Sequence, residues 1–325
     1  MMRIIDKNNF EQLRTQKNIV ILGNFDGIHK GHQELIKRGI ECTKECDCKT
    51  ILYTFKSHSD QDVKLLTNNH EKIEILKNYD LDYVYFEEFE DVRNLSPEEF
   101  LKEIIIKKLN SNKIICGFDF TFAKGKSGNT ELLKKLGQEN NVKVIVIDPV
   151  KDINGEIISS TRIRKYIEDG DIDSAKNLLG HYPIIAGEVV HGKKMARQMG
   201  FPTANLIFEN KIYPPFGTYG VYVKIMGENS IYNGVMNLGK NPTLKPDELS
   251  VEVHILDFNR FIYGKIISIF ILEKISDEIK FENIDQLVEK IKNDVKYWKK
   301  KVKDEYGNTN KTRKFWGTIR SSYSF

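Results

Sequence analysis

Residues 19–32 read IVILGNFDGIHKGH, and this stretch sets the architecture of the N-terminal half of the chain. Its first four residues are all apolar, which is typical of a parallel strand that is buried on both faces. Gly23 and Gly27 then permit tight turns and a close approach of the backbone to a ligand. Apolar residues at helical spacing follow over residues 32–42, so a helix is predicted to begin near His32. The order of strand, glycine-rich turn and helix indicates an α/β fold.

The alternation of strand and helix patterns continues to about residue 180. Residues 96–99, Ser-Pro-Glu-Glu, form a capping box with proline at the first helical position, which predicts the start of a helix. Further strands are predicted over Ile51–Phe55, Tyr83–Phe86, Lys113–Cys116 and Lys143–Ile147, and a further helix over Glu131–Glu139. Alternation of this kind predicts a mostly parallel sheet with flanking helices.

The pattern changes after Gly180, where short strands are divided by Gly, Pro and Asn. The predicted strands are Gly187–Val190, Thr218–Ile225, Ile231–Met236, Ser250–Leu256 and Ile266–Leu272, and one helix follows over Ile284–Trp298. Many short strands with one terminal helix indicate a small antiparallel β-barrel. We therefore predict domains at residues 1–182 and 183–300 and a basic tail at 301–325. The chain from Lys299 onward is expected to be frayed or loosely docked.

The composition excludes several classes of protein. A chain of 325 residues suggests about two domains, and 50 Lys+Arg against 46 Asp+Glu leave a net charge of +4. This small charge, without a basic stripe interleaved with aromatic residues, disfavours a nucleic-acid partner. A hydrophobic fraction of 40% is enough for a sizeable core, so we expect a soluble, globular protein. The oligomeric state stays open.

The sequence also carries no targeting signal that we recognise. No uninterrupted apolar stretch at the N-terminus has the length of a signal peptide, and the longest apolar run, near Ile266, is too short for a bilayer of about 30 Å. Four cysteines are too few for a disulfide framework, so we expect the cytoplasm and no membrane association. Cys42, Cys46 and Cys48 are close enough to suggest a metal cluster, but no Cys or His pair at zinc-finger spacing answers them elsewhere.

Residues 23–32 combine features that suit phosphate chemistry. A helix that begins after this loop directs its free N–H groups and the positive end of its dipole at the loop. His29 and His32 are three residues apart, so both can face one anion across the helix start. Backbone amides and paired imidazoles can position a phosphate and neutralise its charge. The alternative is an ordinary glycine-rich turn with two surface histidines.

The string G-x-F-D-G-x-H-x-G-H resembles the HxGH signature of nucleotidylyltransferases, in the form found in the adenylyltransferase half of bacterial bifunctional riboflavin kinase/FAD synthetases. The resemblance implies a Rossmann-like domain in which His29 and His32 hold ATP and stabilise charge while a phosphate of FMN attacks the α-phosphate and expels pyrophosphate. It also assigns contacts with ATP or FMN within the same loop, at Gly23, Phe25, Asp26 and Gly27.

Two later segments resemble the same half of that family. Residues 116–129, CGFDFTFAKGKSGN, are similar to a family loop in which Gly117 and Asp119 would contact the ligands. The end of this segment also mimics a P-loop, but Phe120 stands where a P-loop needs glycine. Residues 158–164, ISSTRIR, resemble a segment in which Ser160 or Thr161 caps a helix while Arg164, or its neighbour at 162, binds phosphate. An ordinary capped helix with solvated arginines is the alternative there.

In the C-terminal half, residues 187–206, GEVVHGKKMARQMGFPTANL, resemble the riboflavin kinase pattern of a glycine-rich loop followed by P-T-A-N. The resemblance implies that Thr203 and Asn205 contact Mg²⁺ and the phosphates of ATP, as oxygen ligands suit a hard cation. It makes Glu252, on the alternating strand SVEVHILD, the general base for the 5′-hydroxyl of riboflavin. Other contacts with riboflavin or ATP are assigned to Gly192, Arg197, Gly200 and Asn237.

The resemblance thus implies two ATP-dependent activities, with riboflavin converted to FMN and FMN to FAD. Several positions depart from the family pattern: Ser57, Ala123, Lys194, Ala196 and Ser276. One alternative is therefore a paralogue that keeps a single activity. Another is a flavin-binding regulator without turnover, although a sensor has no use for a general base at Glu252. A different nucleotidylyltransferase would leave the barrel half unexplained.

Overall fold

The computed structural model describes residues 2–56, 63–192, 201–207, 211–240, 249–279 and 283–306. The chain folds into two compact units. The first contains residues 1–65 and 75–160, and the second contains residues 66–74 and 161–325. The borders predicted for the functional domains, at residues 182 and 300, stay a prediction.

The first unit is a parallel sheet with flanking helices, as predicted. Its six strands are β1 (Arg3–Ile5), β2 (Lys17–Leu22), β3 (Cys48–Phe55), β4 (Tyr83–Glu87), β5 (Ser111–Gly117) and β6 (Lys143–Ile147). They lie in the order β1-β4-β3-β2-β5-β6, and every pairing is parallel. The central strand β2 has five consecutive buried residues, which agrees with its uniformly apolar sequence.

The helices after the first strands are α1 (Lys30–Thr43), α2 (Asn69–Leu76), α3 (Phe89–Val92), α4 (Pro97–Glu99) and α5 (Thr130–Glu139). The capping box at residues 96–99 is present, and α4 continues as a π-helix over Phe100–Lys108. Helix α1 begins at Lys30, two residues before His32, and His29 is its N-cap. The sequence patterns missed the three-residue edge strand β1 and the helices α2 and α3.

The second unit is a closed antiparallel barrel with a terminal helix, which confirms the predicted class. Its strands are β7 (Ile184–Val190), β8 (Ala204–Ile207), β9 (Gly217–Ile225), β10 (Ile231–Lys240), β11 (Leu249–Ile255) and β12 (Ile266–Asp277). They close in the order β10-β11-β8-β7-β12-β9 around apolar side chains. The helices are α6 (Ser160–Glu168), α7 (Ile172–Leu179) and α8 (Ile284–Lys301).

One sequence expectation, about the end of the chain, needs correction. The chain is not frayed from Lys299, because α8 runs to Lys301 and a further turn extends to Tyr306. Lys299 pairs with Asp257 at 2.8 Å, and Lys301 pairs with Glu273 at 2.6 Å, so the last turn of α8 is anchored to the barrel. The rest of the predicted tail, residues 307–325, lies outside the described residues.

Two of the three clustered cysteines form a disulfide. Cys46 and Cys48 form a disulfide, so their thiolates are not available as metal ligands beside Cys42. Cys42 and Cys116 are free and buried, and burial raises the pKa of the Cys116 thiol to about 12. Across the residues that the structure describes, no helix is long and apolar enough to cross a membrane.

Candidate active sites

The first candidate site lies at the point where the strand order of the sheet reverses. From β2 the chain builds β3 and β4 on one side, and it then crosses to build β5 and β6 on the other. Ligands of open α/β sheets bind outside the carboxyl ends of the strands at such a switch point. Residues 23–32 follow the carboxyl end of β2, so the loop singled out by sequence occupies this position.

The backbone of this loop is unusual. Phe25, Gly27 and Ile28 have φ values of 49°, 83° and 43°, so three residues of the loop adopt left-handed conformations. Glycine tolerates this at position 27, but a β-branched residue such as Ile28 is strained there. The side chains of Phe25 and Ile28 are fully buried, and this burial holds the strained backbone in place. Strain that the surrounding structure maintains is common at ligand-binding loops.

Hydrogen bonds fix the loop to its surroundings. The Thr54 hydroxyl donates to the Asn24 carbonyl at 2.9 Å, and the Gly23 amide donates to the Tyr53 carbonyl at 3.4 Å. The Ser160 hydroxyl donates to the carbonyl of Asp26 at 3.0 Å, although the two residues are far apart in sequence. The loop is thus held from β3 on one side and by Ser160, the last residue of the first unit, on the other.

The two histidines form one compact pair. Their rings stack with centroids 3.7 Å apart and an angle of 17° between the planes. Nδ1 of His29 accepts a hydrogen bond from the backbone amide of His32 at 3.3 Å, so His29 caps α1. Because Nδ1 is an acceptor, the ring proton of a neutral His29 lies on Nε2, where it can be donated to a phosphate oxygen. The pair and the amides of the first helical turn can therefore stabilise negative charge together.

The other residues predicted for this site fall into two groups. Gly117 and Asp119 follow the carboxyl end of β5, which pairs with β2, so they lie at the same edge of the sheet as the loop. Asp119 is exposed in a turn that the Phe120 amide closes on the Gly117 carbonyl at 3.1 Å. Thr161 and Arg164 lie in α6 and belong to the second compact unit, so their contact with phosphate stays a prediction.

The second candidate site lies on the barrel. Asn205 of β8 pairs with Glu252 of β11, and Glu252 pairs with Asn237 of β10, so these three polar residues form a row across adjacent strands. The neighbouring residues Val251 and Val253 are buried in the barrel core, as the alternation of the sequence predicted. The row therefore presents a carboxylate and two amides on one face.

Thr203 extends this row. Its hydroxyl donates to the Glu252 carboxylate at 3.2 Å. Gly192 lies against Asn205, and a Cβ at position 192 would be only 2.2 Å from Asn205 Nδ2, so a side chain there would displace the amide. The predicted kinase residues Arg197 and Gly200, and the departures Ser57, Lys194 and Ala196, lie outside the described residues.

A cavity of about 260 Å³ opens beside this row. Gly192, Thr203 and Asn205 line one wall, and residues 258–263 of the β11–β12 connection line the other. Sequence reasoning missed this second wall. Its signal is the run DFNRFIYG, where apolar and aromatic residues continue through a connection between two strands.

The departure at Ser276 has a visible structural consequence. The Ser276 hydroxyl donates to the Asp294 carboxylate at 3.3 Å, and Lys290 contacts both side chains. Lys290 and Asp294 both belong to α8, so the small residue in β12 lets a charged pair of the terminal helix reach the barrel.

Comparison with known proteins places both sites within recognised families. The FAD synthetase family model matches residues 11–162, and the riboflavin kinase family model matches residues 179–302. The first match contains the histidine pair, and the second contains Thr203, Asn205 and Glu252.

Curated relatives extend over most of the chain. A bifunctional riboflavin kinase/FMN adenylyltransferase of Buchnera aphidicola is 36% identical over 291 residues, which are 86% of this chain and 93% of the relative. One of the same description from Bacillus subtilis is 34% identical over 290 residues, or 86% of this chain and 90% of the relative. A crystal structure from Streptococcus pneumoniae, described as a macrolide-efflux protein, is 34% identical with a TM-score of 0.76, and the match covers 91% of this chain and 98% of that one.

Proposed function

This chain belongs to the family of bifunctional riboflavin kinase/FMN adenylyltransferases, and we propose that it performs the two reactions at the two sites described above. It phosphorylates riboflavin to FMN and transfers the adenylyl group of ATP to FMN, which gives FAD and pyrophosphate. One observation carries the assignment of sites. Each family model covers one of them: the histidine pair lies in the first match, and the row around Glu252 in the second.

In the adenylyl transfer, a phosphate oxygen of FMN attacks the α-phosphorus of ATP, and the bond to the bridging oxygen of pyrophosphate breaks. The attacking phosphate is already ionised at neutral pH, so the reaction needs charge stabilisation more than a base. The stacked His29 and His32 and the amides at the start of α1 supply donors for this purpose. The Ser160 hydroxyl supports the geometry, because it holds the carbonyl of Asp26 in the same loop.

In the kinase reaction, the 5′-hydroxyl oxygen of riboflavin attacks the γ-phosphorus of ATP, and ADP leaves. A neutral hydroxyl must lose its proton as it attacks, and the Glu252 carboxylate is the proposed acceptor. The hydrogen bond from the Thr203 hydroxyl orients this carboxylate.

The donor set at Thr203 and Asn205 fits Mg²⁺. A hydroxyl oxygen and an amide oxygen are hard ligands, and Mg²⁺ in kinases is held by few protein ligands together with phosphates and water. Thr203 donates its proton to Glu252, which leaves the lone pairs of its oxygen for a cation. When bound, Mg²⁺ neutralises charge on the phosphates of ATP.

The test is a chromatographic assay of the flavins. The wild-type chain, with riboflavin, ATP and Mg²⁺, is expected to accumulate FMN and FAD. Glu252→Gln should lower FMN formation at least about 100-fold and leave FAD formation from supplied FMN intact. His29→Asn should lower FAD formation about 100-fold and leave FMN formation from riboflavin intact.

His70→Asn and Glu188→Gln serve as matched controls, because both residues are exposed and lie outside the two sites. Equal loss of both activities in either site variant would contradict separate sites. Flavin binding without any ATP consumption by the wild type would contradict the enzymatic function and favour a regulator.

A further inference from the structure

The wall of the barrel cavity formed by residues 257–265 is anchored at its far end and exposed at its centre. The Gly264 amide donates to the Val189 carbonyl at 2.9 Å, and Ile262 is buried in the barrel core. Phe261, one residue earlier, is 72% exposed although it lines the cavity. Because its centre is exposed, the conformation of this part of the loop depends on the side-chain contacts that it makes outside the barrel core.

Arg260 provides these contacts. Its guanidinium donates two hydrogen bonds to the Glu228 carboxylate, at 3.2 and 2.8 Å, and a third to the Tyr232 hydroxyl at 2.7 Å. Glu228 lies in the turn between β9 and β10, and Tyr232 lies near the start of β10. Neither residue lines the cavity. Arg260, which itself lines the cavity, thus ties the wall loop to a neighbouring hairpin whose residues Glu228 and Tyr232 do not line it.

Aromatic contacts reinforce the same anchor. The guanidinium carbon lies 4.9 Å from the ring centre of Phe258, and this ring meets Tyr232 edge-on at 5.1 Å. Hydrogen bonds from Arg260 hold the pKa of the Glu228 carboxyl below its usual value, as expected for a carboxylate paired with a guanidinium. A bidentate pair inside such a network is more rigid than an isolated surface ion pair.

Given the proposed kinase function, geometry also indicates which substrate binds beside this wall. In phosphoryl transfer the attacking and leaving oxygens lie roughly in line on opposite sides of the phosphorus. Thr203 and Asn205, the proposed contacts of Mg²⁺ and of the ATP phosphates, both line the cavity. The cavity is therefore on the side of the phosphate donor, ATP.

We propose that Arg260 is a positioning residue for ATP in the kinase site, acting through Glu228 to fix the cavity wall at residues 257–265. Arg260 is not itself the nucleotide ligand in this proposal. A loosened wall costs binding of ATP more than it costs the chemical step, because the base and the oxygen ligands lie on other strands.

The test compares Arg260→Ala, Arg260→Lys, Glu228→Gln and the double variant Arg260→Ala/Glu228→Gln. Production of FMN plus FAD from riboflavin gives kcat, the KM for ATP and the KM for riboflavin. We expect the single Ala and Gln variants to raise the KM for ATP about threefold to tenfold, with kcat and the KM for riboflavin changed less than about twofold. Because the two residues act as one unit, the double variant should be no worse than Arg260→Ala. Arg260→Lys should raise the KM for ATP less than Arg260→Ala does.

Hydrogen exchange of the 257–265 peptide gives a local readout that needs no turnover and is separate from the adenylyltransferase site. Arg260→Ala should speed exchange there and raise the ATP concentration that protects the peptide. Arg93→Ala, which removes an exposed pair with Glu90, is the matched control and should change neither.

An effect of Arg260→Ala without one of Glu228→Gln would overturn the proposal in favour of direct contact with the nucleotide. If neither variant changes the KM for ATP or the hydrogen exchange, Arg260 and Glu228 are only a surface ion pair and the proposal is wrong. If the wild type makes no FMN, the proposed function fails, while the exchange titration still decides the role of Arg260. FAD formation from FMN shows that the adenylyltransferase unit of each variant is folded, and the fluorescence of the buried Trp298 shows the same for the barrel unit.

Discussion

Ala123 adopts φ 65° and ψ −178°, a conformation that is almost confined to glycine. It follows Phe122 in the loop after β5, at one of the positions where the sequence departs from the family pattern. The Lys126 amide donates to its carbonyl at 3.1 Å, so the turn keeps this geometry despite the Cβ. A residue in such a conformation lowers the free energy of unfolding by about 1–3 kcal/mol, and this applies to the wild-type chain.

Ala123→Gly is therefore expected to stabilise the chain by about 1 kcal/mol, the relief of strain being partly offset by the greater freedom of glycine in the unfolded chain. Urea unfolding followed by circular dichroism gives the free energy of unfolding. Ala175→Gly, in the interior of α7, is the matched control and should destabilise by about 1 kcal/mol. A loss of stability in both variants would show that Ala123 is not strained.

At the scale of elements, the start of α2 joins the barrel through a buried ion pair. Glu71 and Lys211 contact at 2.6 Å, and both side chains are almost fully buried. Glu71 also accepts hydrogen bonds from the amides of Ala186 at 2.6 Å and Asn68 at 2.9 Å. Lys211 donates to two carbonyl groups as well, so each charge has several partners. Burial raises the pKa of the Glu71 carboxyl, and the charge of Lys211 opposes this shift.

Lys211→Met should destabilise the chain by about 3–5 kcal/mol at neutral pH, since it leaves a buried carboxylate without its cation. It also raises the pKa of Glu71 further. A carboxyl whose pKa is raised on folding binds its proton more tightly in the native state, so stability falls as the pH rises above the unfolded value of about 4.3. The loss caused by Lys211→Met is thus expected to be smaller at pH 5 than at pH 8. Urea midpoints across this range measure it.

The double variant Glu71→Gln/Lys211→Met is the control for this pH dependence, because no ionisable group is left in the pair. It should be more stable than Lys211→Met at pH 8, and its difference from the wild type should vary less with pH. A loss in Lys211→Met that is the same at pH 5 and pH 8 would contradict the linkage to Glu71.

The elements also show what sequence patterns can and cannot predict. Uniformly apolar or alternating runs predicted most strands of both units, although not β1 or β8. Glu252 was placed correctly on the face opposite Val251 and Val253 because a period of two is a local property. The left-handed conformation of Ile28 was not predictable, since only the packed surroundings hold that residue there. The cavity wall around Arg260 was missed for a related reason. Its partners in the β9–β10 hairpin become neighbours only when the barrel closes.

At the scale of the whole molecule, the path of the chain differs from a simple division into halves. Residues 66–74 come from the N-terminal part of the sequence, yet they cluster with the barrel unit. The Asn68 side-chain amide donates to the Ala186 carbonyl at 3.2 Å, and Lys224 pairs with Glu74, so this segment has polar contacts on both sides of the ion pair. No sequence pattern shows that two segments more than 100 residues apart share one core.

A fragment of residues 161–325 contains every barrel strand but lacks Glu71, so Lys211 is left without its carboxylate. We expect the fragment to melt at least about 10 °C below the barrel transition of the full chain, from the cost of an unpaired buried charge. Fluorescence of the buried Trp298 follows this transition.

A synthetic peptide of residues 63–76 should bind the fragment and raise its melting temperature, whereas the same peptide with Glu71→Lys should not. Lys211→Met should stabilise the fragment although it destabilises the full chain. This reversal of sign cannot arise from lost packing alone, and its absence would show that the barrel does not depend on the segment.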